Sequence, residues 1–215
     1  MHDRVPERPT ARRTAVRHLA RLAVIVVSSA LAATALVGIG AAQTSALQAS
    51  ERTIKAAFLF KFAEYVDWPA APVQPVDSPF GAAPVEPADS PFVFGVLGSG
   101  ALADDLLRMT MDRTVDARPI RVRRLTPDDV IDDLQVLFIA ADQKGNLDEL
   151  LSSVRGRPVL TVTESEGALA NGSVINFTVN GERVRFEVSL NAAQVNSLRL
   201  NSRLLAVAER VYQAP

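Results

Sequence analysis

The sequence predicts a single α/β domain, built as an open, mainly parallel sheet with helices on both faces and a C-terminal β-hairpin plus helix. Two observations predict this fold. From Phe92 onward, strand-like and helix-like segments alternate, which is the pattern of a parallel sheet with helical crossovers. Near the end, two alternating strands flank Asn180-Gly181, a strong signal for a tight hairpin.

The first 42 residues have the layout of an export signal. Arginines precede a long uncharged run, and Gly40 and Ala42 supply the small residues that a signal peptidase prefers. We therefore expect cleavage near Gln43, with residues 43–215 forming the exported domain. Because the uncharged run is long enough to span a bilayer, an uncleaved inner-membrane anchor is the alternative.

The composition of the exported part excludes several classes of function. The leader contains six of the 23 basic and two of the 24 acidic residues, which leaves 17 and 22 and a formal charge of −5. An acidic domain without a basic stripe is a poor nucleic-acid binder. Both histidines lie in the leader and the chain has no cysteine. Histidine-dependent catalysis and the usual zinc or copper ligand sets are therefore excluded, and we expect no enzyme, no metal and no cofactor.

The opening helix, "IKAAFLFKFAEYVDWP" over residues 54–69, has more apolar surface than one core requires. On a helical wheel its apolar arc is about 200° wide, whereas a core-facing helix needs little more than ~100°. Phe58 lies in this arc and is expected in the core. Phe60 lies outside it, near Glu64, and is expected to face water. We take Phe60, Glu64 and Trp68 as candidate partner-binding residues; the alternative is that another helix or a loop covers the extra apolar surface.

A duplicated proline-rich segment, residues 70–91, follows this helix. "PVQPVDSPF" recurs twelve residues later as "PVEPADSPF". Its composition favours an extended, partly polyproline-II chain with few apolar residues to pack. We interpret it as a surface loop inserted in the domain, and a docking peptide for a proline-binding partner is the alternative.

The central elements follow in a regular order. Apolar or alternating runs predict strands, and amphipathic runs with capping residues predict helices. Thr126 is expected to cap one helix, and Asn146 and Gly156 to cap and end another. In chain order, the segments are "FVFGVLG", "ALADDLLRMT", "PIRVRRL", "TPDDVIDD", "QVLFIAA", "NLDELLSSVRG" and "PVLTVT".

The C-terminal part predicts the hairpin "SVINFTV-NG-ERVRFEVSL" and two helices. Asn191 is expected to cap a short helix, and a final helix is expected over about residues 201–212. On the second hairpin strand, Arg183, Arg185 and Glu187 share one face and predict an exposed charged ladder. Four apolar residues of the final helix are expected to face the core: Leu204, Leu205, Ala208 and Val211.

The segment "GSGALA" is an alternative candidate site, for ligand binding. Gly98, Ser99 and Gly100 follow a strand and open a helix, as in the phosphate-binding turn of dinucleotide-binding folds. The acidic residue that such folds carry some twenty residues later is replaced here by arginines. A tight strand-to-helix turn is therefore the main interpretation, and an anion site the alternative. Paired aspartates such as Asp104-Asp105 are expected to be solvated or to stabilise helix ends.

Several of these segments together resemble the YfiR-like family of bacterial periplasmic regulators. The opening "KAAFLFKFAEYVDWP" is similar to the family's start, and the later blocks "RPIRVRRL", "VLFIAA", "GRPVLTV" and "LRLNSRLLAVA" follow in the right order. The likeness covers about residues 51–211, apart from the proline insert. Matching positions include Lys55, Trp68, Pro69, Gly172, Phe177, Phe186, Asn191, Arg203 and Leu204.

The resemblance implies a regulatory role that composition does not show. It implies a periplasmic protein that binds the periplasmic sensor domain of an inner-membrane diguanylate cyclase and holds it inactive. Release under envelope or redox stress would raise cyclic-di-GMP, exopolysaccharide and biofilm formation. Some relatives carry cysteine pairs that could sense oxidation, and this chain has none. A homodimer is left open.

A second hypothesis belongs to another functional class. The protein could be a sensor of a small ligand or anion, bound at residues 98–100, that acts on a sensor kinase or a transport system. The neighbouring genes discriminate between the two hypotheses, because a cyclase gene supports the first, and a kinase or receptor gene the second.

Overall fold

The structure is a computed structural model that describes residues 47–69, 90–181 and 183–213. The sheet lies within one compact unit, Ala49–Pro215. The predicted leader, residues 1–42, lies outside the described residues, as do residues 70–89 of the predicted insert.

The described part contains ten strands and five α-helices. The helices are α1 (residues 47–64), α2 (Gly100–Thr110), α3 (Leu147–Ser153), α4 (Leu190–Val195) and α5 (Ser202–Val207). The strands are β1 (Val66–Asp67), β2 (Phe92–Leu97), β3 (Thr114–Val115), β4 (Arg118–Leu125), β5 (Val136–Ile139), β6 (Leu160–Thr163), β7 (Ile175–Asn180), β8 (Arg183–Ser189), β9 (Arg199–Leu200) and β10 (Arg210–Tyr212). A 3₁₀ helix, Ala141–Asn146, leads into α3.

Eight of the strands form one mainly parallel sheet, so the predicted fold class is confirmed. Their order is β10-β8-β7-β6-β5-β2-β4-β3. The five adjacent strands β4, β2, β5, β6 and β7 are parallel to one another. Strands β7 and β8 form the predicted antiparallel hairpin, and β10 runs parallel to β8. The hairpin register ends at the pair Asn180 and Arg183, and Gly181 has φ +63°, a conformation that favours glycine.

The side chains of β2 show why the sheet is covered on both faces. Phe92, Phe94 and Val96 point into one buried layer, while Val93 and Leu97 point into another. Because alternate residues of a strand face opposite sides, a fully apolar strand requires cover on both. Helices α1 and α2 pack in the first layer and α3 in the second.

Helix α1 is attached to the hairpin through an aromatic cluster. Phe62 lies 4.8 Å from Phe186 and 5.7 Å from Phe177, measured between ring centroids. Phe58 stacks on Phe62 at 5.7 Å and contacts the same two rings, and it is half-buried at the margin of the core. Aromatic pairs at these distances stabilise the fold by about 0.5–1.5 kcal/mol beyond the stabilisation from burying their surface. Phe58 thus packs against the core as predicted.

Helix α1 also packs beside α2, which runs in the same direction. Near the start of α1, Arg52 and Thr53 contact Asp105 of α2. At its end, Phe60 contacts Arg113, which follows α2. The sheet and α2 together therefore cover more of α1 than the sheet alone would. This second contact explains why the apolar arc of α1 is wide.

The second layer requires a glycine at the centre of the sheet. A Cβ atom at Gly95 of β2 would lie 2.5 Å from Cδ1 of Leu125 and 2.7 Å from Cδ1 of Leu134. Both leucines are buried in this layer beside α3. Since carbon atoms cannot approach so closely, the absence of a side chain at Gly95 lets these leucines close the layer.

The prediction of a helix over "TPDDVIDD", residues 126–133, is wrong. The segment is a loop in which Asp129 accepts hydrogen bonds from the backbone N–H and the hydroxyl of Thr126. Val130 is 68% exposed, whereas the neighbouring Ile131 packs partly buried against the second layer, so the two do not form the apolar stripe of an amphipathic helix. Local capping groups here close a turn rather than start a helix.

The C-terminal segment also differs from its prediction. Ser189, not Asn191, caps α4, because its hydroxyl accepts the N–H of Ala192. The final helix ends at Val207, and β10 follows as an edge strand that contains Val211. Leu204 is buried as predicted, whereas Val211 is exposed.

Candidate functional site

Trp68 lies where α1 ends, at a position that several contacts determine. The preceding strand β1 pairs with β9, and Nε1 of Trp68 donates to the carbonyl of Ala63 at 3.1 Å. Its ring meets Phe92 edge to face at a centroid distance of 5.1 Å. The side chain is only half-buried. A tryptophan that is held in one orientation and still partly exposed suits an interface anchor.

A cavity of about 500 Å³ lies beside Trp68 and is open to solvent. It lies at the end of the sheet where β2, β4, β5 and β6 begin, and it has both apolar and charged walls. Its principal lining residues are Trp68, Pro91, Arg118, Arg121, Asp132 and Arg157.

The arginines of this cavity are held in different ways. Arg118 donates to the carbonyls of Ser90 and Pro91 and lies 5.6 Å from the ring centre of Phe92. Arg157 pairs with Asp132 at 3.0 Å. Arg121 is exposed and has no ion pair in the described part of the chain. Arginine and tryptophan are enriched among the residues that dominate protein interfaces, so this end of the sheet is the candidate partner-binding surface.

Phe60 does not belong to that surface, and its predicted exposure is wrong. The side chain is 5% exposed and is part of the core around α1. Arg113 and Lys61 lie over its ring at 5.2 and 5.6 Å from the centroid. A helical wheel places Phe60 away from the sheet, but Arg113, three residues after the end of α2, covers that side.

Glu64 lies on the exposed side of α1. Its carboxylate pairs with Nζ of Lys61 at 2.6 Å, and both side chains contact solvent. Exposed pairs of this kind are worth about 0–1 kcal/mol, so Glu64 contributes little to folding and is available to a partner.

The geometry at Gly98, Ser99 and Gly100 does not favour an anion. α2 begins at Gly100, and Ser99 makes no side-chain capping bond. Gly98 has φ +83°, and a Cβ atom there would lie 2.4 Å from Oδ1 of Asp142. A carboxylate therefore occupies the space next to the turn, where it would repel a second negative charge.

Lys55, a position shared with the family, is buried in an ion-pair network. It is 8% exposed, and its Nζ lies 2.5 Å from both Glu51 and Glu164. Glu164 also accepts the backbone N–H of Ala141, so the network joins α1 to the ends of β5 and β6. Burial alone would lower the pKa of Lys55, but the hydrogen bonds to Glu164 and Glu51 outweigh it and raise the pKa. The network holds Lys55 in its charged form.

The remaining positions shared with the family divide between core and surface. Phe177, Phe186 and Leu204 are buried, and Gly172 has φ +106°, which strains any other residue. Pro69, Asn191 and Arg203 are exposed.

The sequence interpretation missed a buried carboxylate, Asp105. It is 3% exposed and pairs with Arg52 at 2.7 Å and with Arg108. Burial alone would raise its pKa, but the hydrogen bonds from Arg52 and Arg108 outweigh it and lower the pKa. One signal could have indicated this site, because Asp105 lies between Leu102 and Leu106 on the apolar side of α2.

In the described ranges, no three acidic residues are grouped so that they could hold a metal ion. Across the same ranges, no helix combines the length and the apolar character needed to cross a bilayer.

One comparison with known proteins is informative. A family model described as YfiR/HmsC-like matches residues 52–209, which is well over half of the chain. The matched region contains α1 from Arg52 onward, both core layers and the cavity beside Trp68. A search of curated proteins found no match.

Proposed function

Because the chain belongs to the YfiR/HmsC-like family, we propose that it binds the periplasmic sensor domain of an inner-membrane diguanylate cyclase and inhibits the enzyme. Membership of the family supports a periplasmic regulator of the diguanylate cyclase system in general. Inhibition by direct binding is the more specific proposal. It would lower cyclic-di-GMP, and with it exopolysaccharide and biofilm output.

The exposed edge of Trp68 beside the charged cavity is the observation that carries the binding proposal. The indole is oriented by Ala63 and Phe92 before any partner arrives, so little conformational entropy would be lost on docking. Arg121 and the neighbouring ion pair between Arg157 and Asp132 supply polar groups around it. An aromatic anchor with a polar rim is the usual composition of a protein interface.

A regulatory role agrees with the chemistry that the exported part retains. The family consists of regulators rather than enzymes. Residues 43–215 contain no histidine and no cysteine, which are the commonest catalytic bases and nucleophiles. Without cysteine, this chain cannot sense oxidants through a disulfide. A signal would therefore act through non-covalent contacts.

The proposal includes export of the protein to the periplasm by the leader, residues 1–42. Family membership supports a periplasmic location. Cleavage after Ala42 would release residues 43–215 into the compartment where the sensor domain of an inner-membrane cyclase lies.

We do not favour the second hypothesis, in which the protein senses an anion bound at Gly98, Ser99 and Gly100. Asp142 occupies the space beside that turn, and Ser99 makes no side-chain capping bond at the start of α2. We therefore retain the inhibitory interaction as the proposed function.

The proposal is tested by capture from membranes. Residues 43–215, immobilised through the C-terminus, would be incubated with detergent-solubilised inner membranes of the same organism, and bound proteins identified by mass spectrometry. A diguanylate cyclase with a periplasmic domain is expected among the captured proteins. Its absence, in membranes that contain the cyclase, would count against direct binding.

A further inference from the structure

A second cavity, of about 340 Å³, lies far along the sheet from Trp68, next to β7, β8 and β10. One wall is the apolar loop formed by residues 167–170. The other is a strip of polar side chains on the sheet: Asn176 on β7, Glu187 and Ser189 on β8, and Tyr212 on β10. Its volume is at the lower end of the range for sites that enclose small organic ligands.

The polar strip is positioned by strand register. Asn176 lies opposite Glu187 in the hairpin, and Tyr212 lies opposite Ser189 in the next pair of strands. All four side chains therefore project from the same face of the sheet into one space. On this face, α3 and its neighbours cover β2 and β5.

Asn176 presents an unused hydrogen-bond donor at the cavity. The residue is 7% exposed, and its Oδ1 accepts the hydroxyl of Thr163 at 2.8 Å. Its Nδ2 makes no hydrogen bond to a group in the described residues, although the cavity gives it access to a small molecule. Nδ2 is not one of the buried atoms that lack a partner, so water reaches it from the cavity, and an acceptor on a ligand would replace that water.

Glu187 presents an acceptor that is only partly used. Its side chain is 18% exposed, and Oε1 accepts the hydroxyl of Tyr212 at 3.1 Å. The nearest cation is Nη1 of Arg210 at 3.7 Å, on a side chain that is 66% exposed. An ionised carboxylate has room for about four hydrogen bonds, so Oε2 has unused capacity for a further donor.

We propose that this cavity is a binding site for a small organic amine that carries a compact apolar body. The ammonium group would donate to Glu187, and an oxygen acceptor on the ligand, where present, would receive Nδ2 of Asn176. The apolar body would pack on Leu169 and Ala170. A carboxylate ligand is disfavoured, because Glu187 would repel it in a partly desolvated site.

Binding would also order the C-terminal strand. β10 is only three residues long, and all three are exposed. It contributes Tyr212 to the cavity wall and Arg210 to the ion pair with Glu187. A ligand that contacts Glu187 and Tyr212 together would therefore slow hydrogen exchange at the β10 amides. This site is independent of the proposed contact with a cyclase.

The test uses three probes that differ only in their polar group: cyclohexylmethylamine, cyclohexylmethanol and cyclohexanecarboxylate. Each is titrated into ¹⁵N-labelled residues 43–215 at pH 7, and chemical shifts are followed by NMR. We expect saturable shifts at the side-chain amide of Asn176 and the backbone amide of Tyr212. The amine should bind at least about tenfold more tightly than the alcohol, which corresponds to about 1.4 kcal/mol. The carboxylate should not bind.

Two variants identify the group responsible. Glu187→Gln should reduce the affinity of the amine to that of the alcohol, whereas Glu166→Gln, on the exposed side of the adjoining loop, should leave it unchanged. The inference is overturned if the amine gives no saturable shift, if the three probes bind the unmodified protein equally, or if the shifts lie away from β7, β8 and β10. Because the first comparison uses the unmodified protein, the test does not depend on the folding of a variant.

Discussion

The guanidinium of Arg52 donates from Nε to Oδ2 of Asp105, and the two atoms lie 2.7 Å apart between α1 and α2. Asp105 is almost fully buried and has Arg108 as a second partner. The contact fixes the start of α1 against its neighbour, while Phe60 fixes its end. Because Trp68 follows α1 directly, these contacts also determine where the candidate interface residue lies.

Replacing Asp105 by asparagine should destabilise the fold. The substitution retains the shape but removes the charge that both arginines share, and hydrogen bonds to charged groups are worth about 1.5–3 kcal/mol. We expect the free energy of unfolding to fall by about 1–3 kcal/mol in urea denaturation. Asp104→Asn is the matched control, because Asp104 and Arg124 are both about half-exposed, and it should cost less than ~1 kcal/mol. Equal losses in both variants would contradict a special role of Asp105.

The same carboxyl group should make stability sensitive to acid. Although burial acts to raise it, the pKa of Asp105 is lower in the folded chain because of its two arginine partners. Its contribution is therefore fully present above the pKa of the unfolded chain, about 3.9, and is lost as the pH falls through the lower folded pKa. The free energy of unfolding should decrease from about pH 4 toward pH 2, and it should decrease less steeply in Asp105→Asn. Parallel pH profiles for the two proteins would show that another group is responsible.

Truncation of Phe60 should destabilise the fold as truncation of a core residue does. Phe60→Ala is expected to cost about 3–5 kcal/mol, since the side chain is 5% exposed and packs between α1 and the end of α2. Glu64→Ala, one turn further along the helix, should change stability by less than ~1 kcal/mol. Thermal melting of the two variants checks the comparison. If Phe60→Ala melts like the unmodified protein, this side of α1 is not part of the core in solution.

Trp68 should matter more for binding than for folding. Trp68→Ala removes a half-buried side chain, so the folded state should persist, whereas truncation of an interface anchor weakens binding by more than ~2 kcal/mol, or about 30-fold. Binding to the cyclase sensor domain is measured by calorimetry, and near-ultraviolet spectra verify the fold. Val179→Ser, at the exposed tip of the β7–β8 hairpin, is the control and should bind normally. Unchanged affinity in Trp68→Ala would place the interface elsewhere.

Most of the fold could be predicted from the sequence because its signals are local. The strand and helix alternation from Phe92, the turn at Gly181 and the apolar arc around Phe62 each depend on residues a few positions apart. The same locality misled the interpretation at Thr126, where capping groups are present but the apolar stripe of a helix does not follow. Strand β10 was predicted as the end of the final helix, because Val211 continues the helical spacing of Leu204 and Ala208, whereas the structure places it in an exposed edge strand.

The environment of single side chains was harder to predict, because it depends on distant elements. Phe60 is buried by Arg113, and Asp105 is neutralised by Arg52, in each case more than fifty residues away along the chain. A helical wheel describes one helix and contains no information about a second helix beside it. Trp68 could be named as a candidate from the sequence, but its orientation by Ala63 and Phe92 required the structure.

The most direct measurement of the central claim is the activity of the cyclase itself. Membrane vesicles that contain the full-length cyclase, with its sensor domain accessible, would be incubated with increasing amounts of residues 43–215, and cyclic-di-GMP synthesis from GTP would be followed over time. The account predicts a saturable decrease in synthesis, with Trp68→Ala requiring a concentration about 30-fold higher for the same effect. Synthesis that stays constant at all concentrations, with a folded protein and an active cyclase, would contradict it.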